Sequence, residues 1–245
     1  MSTARRHARM CAILDRRQPD LTVLMDNVHK PHNVSAVLRT CDAVGIARAH
    51  AVSPDPHFRV RHASAAGVGR YVEVRVHADH DAAFDALRAA GMAIYAAHPS
   101  ARAVDFRRLD YTRPTALLLG SERDGVDRRL LDRIDGEVII PMLGAAASLN
   151  VSVAAAVMLF EAQRQRLAAG FYDAPRLPSA ERDRLRFIWT HPRLAAYCDR
   201  HALPYPSLDE DGLPIDPLPR LDGPPIDPLP RLDGPPIDPL PRLDD

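Results

Sequence analysis

Short apolar runs alternate with amphipathic stretches along residues 21–168. Apolar runs bounded by turn residues are typical of strands, and periodic apolar stretches are typical of helices. The predicted strands are residues 21–27, 48–52, 71–76, 93–97, 115–119 and 137–140. The predicted helices are residues 33–44, 82–90, 127–134 and about 149–168. This alternation predicts an α/β fold, a parallel sheet with helices on both faces, whose ligands would bind beyond the carboxyl ends of the strands.

An arginine-bearing segment flanks this core on each side. Residues 180–200 are predicted to form one helix with arginines on it. The other predicted helix, over residues 2–17, carries Arg5, Arg6, Arg9, Arg16 and Arg17. Such helices either grip a phosphate backbone or present a solvated charged face, and the pattern alone leaves both readings open.

An eleven-residue repeat rich in proline fills the end of the chain. It begins at Ile215, restarts at Ile226 and is cut short after Ile237. Proline at this density predicts an extended segment without helix or sheet, which is a repeat expansion, an acidic decoy or a partner motif. The predicted parts are an N-terminal basic helix at 1–20, a globular domain at 21–170, a C-terminal basic helical extension at 171–208 and a disordered acidic tail at 209–245.

The size of the chain predicts one principal domain with a buried core, since it has 245 residues and 46% of them are hydrophobic. Its cysteines, Cys11, Cys41 and Cys198, are odd in number and lack the spacing of a metal site. They indicate a reducing compartment and no bound metal. The longest apolar stretch, residues 151–160, is far shorter than a bilayer span. We therefore expect a soluble, cytoplasmic protein that does not insert into a membrane.

The formal net charge of zero hides an uneven distribution. Residues 1–208 hold 29 basic and 22 acidic groups, whereas residues 209–245 hold 3 and 10. Lys30 is the only lysine, so almost every cation is an arginine. The planar guanidinium suits phosphate and base stacking, which favours a nucleic-acid partner. A genome rich in G and C would produce the same arginine bias.

Three loops at predicted strand ends carry small and polar residues. The first leads into a helix through Asn33, a candidate N-cap, and places Arg39 less than two turns further on. The second, residues 117–126, contains two turn glycines and an acidic residue. The third, residues 140–157, combines small residues with Ser148 and Asn150. Small residues let a backbone approach a flat polar ligand, although ordinary strand-to-helix turns have a similar composition.

Taken together, these loops resemble the three signature motifs of the SPOUT RNA 2'-O-methyltransferases. The matching positions are Asn33 with Arg39, Leu-Gly-Ser-Glu-Arg-Asp-Gly at 119–125, and Ile-Pro-Met-Leu-Gly at 140–144 with Ser-Leu-Asn-Val-Ser-Val at 148–153. Three motifs in this order are hard to ascribe to chance. The stretches 28–36, 104–114 and 159–166 narrow the resemblance to the TrmH type of tRNA guanosine 2'-O-methyltransferase, and it runs from about residue 5 to residue 206.

The resemblance implies a fold with a C-terminal deep trefoil knot, and a homodimer. It implies S-adenosylmethionine as the cofactor and the guanosine at position 18 of the tRNA D-loop as the substrate. The cofactor contacts, mostly through backbone, would be Ala97, Gly120, Ile140, Met142, Gly144, Ser148 and Leu149. The RNA contacts would be Arg5, Arg6, Arg9, Arg16, Arg17, Arg164 and Arg166.

The resemblance also implies the catalytic residues, which are Arg39, Asn33, Glu122, Ser148 and Asn150. A guanidinium, with a pKa above about 12, is a poor base, so we expect Arg39 to hold a phosphate and to stabilise the developing alkoxide. Asn33 would orient Arg39, Glu122 would fix the second loop or the partner subunit's arginine, and the last two residues would close the pocket. The two asparagines would serve equally well as helix caps, and Glu122 as an acceptor for loop amides.

Departures from the family pattern keep the substrate open. The third motif has Ala145 to Ala147 where a bulkier, amide-bearing residue is expected just before Ser148, Ala97 replaces a common threonine, and residues 63–71 lack a polar pair. One alternative is a 2'-O-methyltransferase for ribosomal RNA or for another tRNA position. Another is an RNA-binding protein without catalysis, which the intact catalytic set argues against. A doubly wound oxidoreductase is disfavoured, because no Gly-x-Gly-x-x-Gly follows the first strand.

Overall fold

The computed structural model describes residues 3–28, 30–53, 71–121 and 123–215. The chain forms two compact units, one of residues 18–171 and one of residues 1–17 together with 172–245. Predictions that fall on Glu122, on residues 63–70 or on the repeats from residue 216 onward lie outside the described residues.

A seven-stranded parallel sheet forms the centre of the unit of residues 18–171. The strands are β1 (Leu21–Asp26), β2 (Arg48–Val52), β3 (Glu73–His77), β4 (Ala93–Ala97), β5 (Val104–Asp105), β6 (Thr115–Leu119) and β7 (Gly136–Ile139). Their order across the sheet is β3-β2-β1-β6-β4-β7-β5. The predicted parallel α/β sheet is confirmed. Strand β5 was not predicted, because two residues are too few to leave an apolar pattern.

The described residues of this unit contain three α-helices, α2 (Pro31–Ala43), α3 (His80–Ala89) and α4 (Val151–Ala168). The described part of the other unit contains α1 (Thr3–Asp15), α5 (Ser179–Thr190) and α6 (Pro192–Arg200). Helix α2 begins two residues before its predicted start, because proline at the first helical position needs no amide hydrogen and has the required φ.

The helix predicted at residues 127–134 is wrong. Only Arg128–Leu130 is helical, as a 3-10 turn in which the Asp127 carboxylate accepts a hydrogen bond from the Arg129 amide at 2.9 Å. Five residues after Leu130, the Asp135 carboxylate accepts from the Ile94 amide at 2.6 Å. The chain must therefore return to the sheet before a full helix can form.

Apolar clusters cover both faces of the sheet. Along β6, Leu117 and Leu119 pack with α2 and α4, whereas Leu118 packs with α3. Successive side chains of a strand point to opposite faces, so a strand that is apolar at every position is buried on both sides. This confirms the prediction of helices on both faces.

Arg166 is a structural residue at the amino edge of the sheet, and its predicted RNA contact is wrong. Its side chain is 0% exposed and donates to the Asp20 carboxylate at 2.6 Å and to the Tyr111 carbonyl at 2.8 Å. Further bonds reach Gln18 Oε1 at 3.1 Å and the carbonyls of Asp20 and Arg113 at 3.0 and 3.3 Å. A guanidinium with this many internal acceptors is buried because the fold satisfies it.

In the unit of residues 1–17 and 172–245, the predicted helix over 180–200 is two helices. Pro192 begins α6, and proline disfavours helical backbone in the residue before it. Phe187 of α5 packs with Leu194 and Cys198 of α6. Arg17 is only 1% exposed and stacks over Trp189 at 5.4 Å, so an RNA contact by Arg17 is also wrong. The other arginines of this predicted set lie at the surface: Arg5 is exposed, and Arg6, Arg9 and Arg16 are half-buried.

The segment 209–215, predicted as the start of the tail, forms a hydrogen-bonded turn instead. The Asp209 carboxylate accepts from the amides of Asp211 and Leu213 at 3.0 and 2.7 Å. His191 donates to the Gly212 carbonyl at 2.6 Å, and a Cβ at Gly212 would lie 2.4 Å from the His7 ring.

All three cysteines of the chain are free thiols. In the described residues no helix is long and apolar enough to cross a bilayer, and no side-chain group suits a metal.

Candidate active site

A cavity of about 580 Å³ opens at the carboxyl ends of β4, β6 and β7. Its walls come from the three strand-end loops and the start of α4, as the loop composition predicted. The predicted cofactor positions in the wall are Ala97, Gly120, Ile140, Met142, Ser148 and Leu149. Gly144 is not among the lining residues, and a Cβ there would meet nothing within 4 Å. The structure therefore gathers six of the seven predicted contacts.

The second loop closes tightly behind β6. Ser121 and Gly125 exchange backbone hydrogen bonds of 2.9 and 3.0 Å, and Gly125 has a positive φ of 71°. A Cβ at Gly120 would lie 2.0 Å from the Gly125 carbonyl carbon, so only glycine fits. Gly120 thus presents bare backbone to the cavity, which suits recognition of a flat ligand through N–H and C=O groups.

The third loop ends at the N-terminus of α4. Asn150 caps this helix, because its Oδ1 accepts from the Ser152 amide at 2.8 Å and from the Ser152 hydroxyl at 2.7 Å. Ser148 and Asn150 both line the cavity, as predicted. The cap and the pocket role are therefore combined in one asparagine.

Asn33 and Asn150 meet at the junction of α2 and α4. Asn33 is 1% exposed, and its Oδ1 accepts a hydrogen bond from Asn150 Nδ2 at 3.3 Å. Asn33 is not the N-cap of α2, since that position is Lys30. The first and third motifs are thus joined directly by this bond.

Arg39 lies outside this cavity. It is exposed on α2 and lines a second, shallower groove of about 540 Å³ with residues of α4. Val153, Val157 and Phe160 of α4 are 47%, 37% and 50% exposed along the same helix. Within one chain, Arg39 therefore does not line the cavity that Ser148 and Asn150 line. Glu122 lies outside the described residues.

The start of the first loop is held by a buried carboxylate. Asp26, at the end of β1, is 2% exposed and lies 2.8 Å from Asn27 Nδ2, which donates to it. His80 Nε2 donates to the same oxygen at 2.8 Å. Asn27 has a φ of 50°, a left-handed conformation that asparagine tolerates better than most residues. These bonds fix the direction in which the chain leaves the sheet toward Lys30.

Four charged or titratable residues of the cavity wall were not predicted. Lys30 comes from the first loop, Arg123 and Asp124 from the second, and His98 follows β4. The sequence signal for Lys30 was present, because it is the only lysine and lies between a predicted strand and helix. Below this wall, the Glu137 carboxyl is 5% exposed and has a pKa lowered by a hydrogen bond from Ser100 and by Arg102, which lies 2.7 Å away.

Comparison with known families places the chain. Residues 20–160 match the model of the SpoU rRNA Methylase family, and residues 164–215 match the model of the SpoU rRNA methylase C-terminal region. The chain belongs to the SpoU methylase family. This membership confirms the resemblance to RNA methyltransferases that the three motifs carried.

Named relatives of this SpoU methylase include tRNA-modifying enzymes. The tRNA (guanosine(18)-2'-O)-methyltransferase of Escherichia coli K12 is 50% identical over 209 residues, which cover 84% of this chain and 91% of the relative. The crystal structure of the Aquifex aeolicus TrmH/SpoU tRNA modifying enzyme matches with a TM-score of 0.70 and 34% identity, covering 78% of this chain and 97% of that one. An AdoMet-bound rRNA methyltransferase from Sinorhizobium meliloti matches at 0.54 and 30%, covering 63% and 59%.

Proposed function

We propose that this SpoU methylase transfers the methyl group of S-adenosylmethionine to the ribose 2'-oxygen of a guanosine in tRNA, at position 18 of the D-loop. One observation carries the proposal. Residues of all three motif loops line one cavity, and the Asn33–Asn150 bond joins the first motif to the third. The identity to the E. coli enzyme extends over 91% of that enzyme, which favours the same substrate. We also propose that the protein acts on this substrate in the cytoplasm.

The residues of the cavity fit S-adenosylmethionine. A volume of about 580 Å³ is within the range of pockets that hold ligands of this size. Gly120 admits no side chain, so a planar ring system can approach the backbone there, and Ile140, Met142 and Leu149 supply apolar surface. When bound, the sulfonium supplies an electrophilic methyl group. The chain's own task is then to hold the ribose hydroxyl in line with it.

Asn150 and Ser148 are the polar side chains that the third motif brings to the cavity wall. We assign to them the orientation of the ribose hydroxyl, because their oxygens and the Asn150 amide can donate or accept at that wall. Asn33 holds Asn150 through the 3.3 Å bond. Its assigned role is therefore to position Asn150 rather than Arg39.

A homodimer would bring Arg39 to a cavity. In one chain Arg39 lies in the groove between α2 and α4, next to the exposed apolar side chains of Val153 and Phe160. An apolar strip of this kind on a helix suits a partner surface. We infer that a second copy covers it and that Arg39 then reaches the partner's cavity, where it would bind the phosphate and stabilise the alkoxide.

The deep trefoil knot and the RNA contacts complete the proposal. The strand order supports the knot, because β7 lies between β4 and β5 although both precede it in the chain.

The proposed RNA contacts are arginines at the surface, since these can bind phosphates. They are the exposed Arg164 on α4 and the surface residues Arg5, Arg6, Arg9 and Arg16.

The function is tested by methyl transfer from labelled S-adenosylmethionine to unmodified tRNA, with the modified nucleotide mapped. We expect label on the ribose of guanosine 18 only. Transfer to ribosomal RNA but not to tRNA would support the alternative substrate. Cofactor binding without transfer to any RNA would leave an RNA-binding protein without catalysis.

The shared site is tested by mixing two inactive variants, Arg39→Ala and Asn150→Ala. If Arg39 acts in the partner's cavity, a mixed dimer contains one site with both native residues, and activity returns on mixing. If Arg39 acts in its own chain, no site in the mixture is complete. Arg39→Ala alone is expected to bind S-adenosylmethionine with unchanged affinity but to lose turnover.

A further inference from the structure

Among the described residues, Lys30 and Arg123 bring cationic side chains to the lining of the cavity. The Arg123 side chain is 94% exposed and lies 4.0 Å from Asp124, its neighbour in the chain. Lys30 is the only lysine of the protein, in a chain that otherwise uses arginine for every cation. Neither residue was assigned to the site by the sequence motifs, and both line the cavity that we propose for the cofactor.

Lys30 has a fixed starting point. Its carbonyl accepts from the amides of Asn33 and Val34 at 2.9 and 3.2 Å, which sets it one turn before Asn33. On its other side, the chain is held by the bonds of Asn27 and His80 to the Asp26 carboxylate. The Lys30 backbone is therefore held to the first turn of α2, and its exposed side chain, which ends in an ammonium, lines the cavity.

An ammonium at this wall is suited to an anionic oxygen. Two sources of such an oxygen would come to the cavity, the carboxylate of the cofactor and a phosphate of the RNA. Gly120, Ile140 and Met142 also line the cavity, and they present backbone and apolar groups. Lys30 instead belongs to the loop that leads to Asn33, whose partner Asn150 we assign to the ribose. This placement favours the nucleotide over the cofactor.

We propose that Lys30 is a positioning residue that binds the phosphate next to the target ribose. The inference rests on the proposed RNA methyl transfer and adds a residue of the same chain to it. A point charge on a flexible stem binds the phosphate in the ground state and the transition state alike. Its loss therefore raises KM for the RNA more than it lowers kcat.

The test compares Lys30→Gln and Lys30→Arg with the control Arg113→Gln. Arg113 is 82% exposed and precedes β6, at the opposite edge of the sheet from the cavity, so its variant removes one charge elsewhere. The measurements are kcat, KM for tRNA at several salt concentrations, and the Kd of S-adenosylhomocysteine and of methylthioadenosine. The latter compound lacks the amino-acid carboxylate, so the pair separates the two anions.

We expect Lys30→Gln to raise KM for tRNA by about fivefold or more and to reduce the salt slope of RNA binding by about 0.7 to 0.9. Lys30→Arg should restore most of the KM and of the salt slope. The Kd of S-adenosylhomocysteine and that of methylthioadenosine should stay unchanged in both variants. The inference is overturned if Lys30→Gln weakens S-adenosylhomocysteine alone, which would assign Lys30 to the cofactor. It is also overturned if Lys30→Gln behaves like Arg113→Gln.

Chemical labelling gives a second readout that needs no turnover. Reductive methylation with formaldehyde modifies only the N-terminal amine and Lys30, since the chain has no other lysine. We expect tRNA to protect Lys30 and S-adenosylhomocysteine not to protect it. Equal labelling with and without tRNA would overturn the inference. A wild type that binds tRNA but methylates a different RNA would refute the proposed substrate instead.

Discussion

Asn150 Nδ2 donates to Asn33 Oδ1 at 3.3 Å, and this single bond joins the first motif to the third. Asn150 also caps α4 through Ser152, so one side chain serves the helix, the pocket and α2 at once. Asn33 is 1% exposed whereas Asn150 is exposed, so water can reach the donor of this bond but not its acceptor. The bond therefore controls how the two helix starts are aligned at the cavity.

A double-mutant cycle on this pair should reveal the coupling. Asn150→Ala loses the cap, which costs about 0.5–2 kcal/mol, and Asn33→Ala removes the acceptor of a bond whose donor is exposed to water, at about 0.5–1.5 kcal/mol. Because both variants break the same bond, the double variant should be less unstable than the sum by about 0.5–1.5 kcal/mol. Urea denaturation measures all four proteins. Strict additivity would mean that the 3.3 Å contact contributes nothing.

Gly120 should be the least replaceable glycine of the site. In Gly120→Ala the new Cβ would lie 2.0 Å from the backbone of Gly125, so the second loop must open and cofactor affinity should fall by at least about tenfold, or about 1.4 kcal/mol. In Gly125→Ala the new Cβ would meet no atom within 4 Å, but the residue has a φ of 71°. This variant should therefore lower the free energy of unfolding by about 1–2 kcal/mol.

Gly144→Ala is the matched control for this series. A Cβ there would meet no atom within 4 Å, and Gly144 is not one of the described glycines with a positive φ. We expect unchanged stability and unchanged S-adenosylmethionine binding in titration calorimetry. If Gly144→Ala weakens the cofactor as much as Gly120→Ala does, the clash at Gly120 is not the cause of its effect.

The centre of the sheet was predictable from sequence because β6 has an unbroken apolar run. Leu117, Leu118 and Leu119 are all buried, and a run of this kind between helices indicates a strand covered on both faces. The segment 127–134 misled the prediction for a physical reason. Its helical pattern of apolar residues is real, but the bond from Ile94 to Asp135 requires the chain to turn back early.

The site was predictable as a set of loops but not as a set of contacts. Gly120, Ser148 and Asn150 converge as expected, because strand ends of a parallel sheet share one edge. Arginine side chains have no such constraint. Arg166 and Arg164 are two residues apart in one helix and so lie on different faces, but only acceptors such as Asp20 and Tyr111 show that the inward face can bury a guanidinium. Those acceptors are far away in sequence.

Arg166 and Arg164 should therefore separate stability from RNA binding. Arg166→Met leaves the Asp20 carboxylate and buried carbonyls without their donor, and should lower the free energy of unfolding by about 3–5 kcal/mol. Arg164→Gln removes an exposed pair with Glu161 and should change stability by no more than about 0.5 kcal/mol. Urea denaturation gives both values.

RNA affinity should show the opposite order for these two variants. Arg164→Gln is expected to raise KM for tRNA and to reduce its salt slope by about 0.7 to 0.9, since one phosphate contact is lost. Arg166→Met, measured below its unfolding transition, should keep the native salt slope. A reduced salt slope of RNA binding in Arg166→Met would show that Arg166 contacts the RNA after all.

His50 should make stability depend on pH below neutrality. It is 4% exposed, stacks on His77 with ring centroids 5.1 Å apart, and its Nδ1 lies 2.9 Å from His77 Nε2. Burial, and then the nearby charges of His77, Arg75 and Arg48, lower the pKa of His50 from 6.5 to about 4, while Glu73 opposes them. The unfolded chain takes up this proton as the pH falls through 6.5, and the folded chain does not do so until about pH 4. The contribution is therefore fully present above pH 6.5 and is lost progressively down to about pH 4, at most about 3 kcal/mol.

The variant His50→Gln removes this titration while keeping a polar side chain of similar reach. It should be less stable than the wild type at pH 7.5, because the stacked pair with His77 is lost. The difference in the free energy of unfolding should then shrink as the pH falls from 6.5 toward 4.5, since only the wild type loses stability through this group. Urea denaturation at five or six pH values measures the difference. A difference that stays constant over that range would show that His50 takes up its proton equally in the folded and unfolded chains, contrary to its burial in β2.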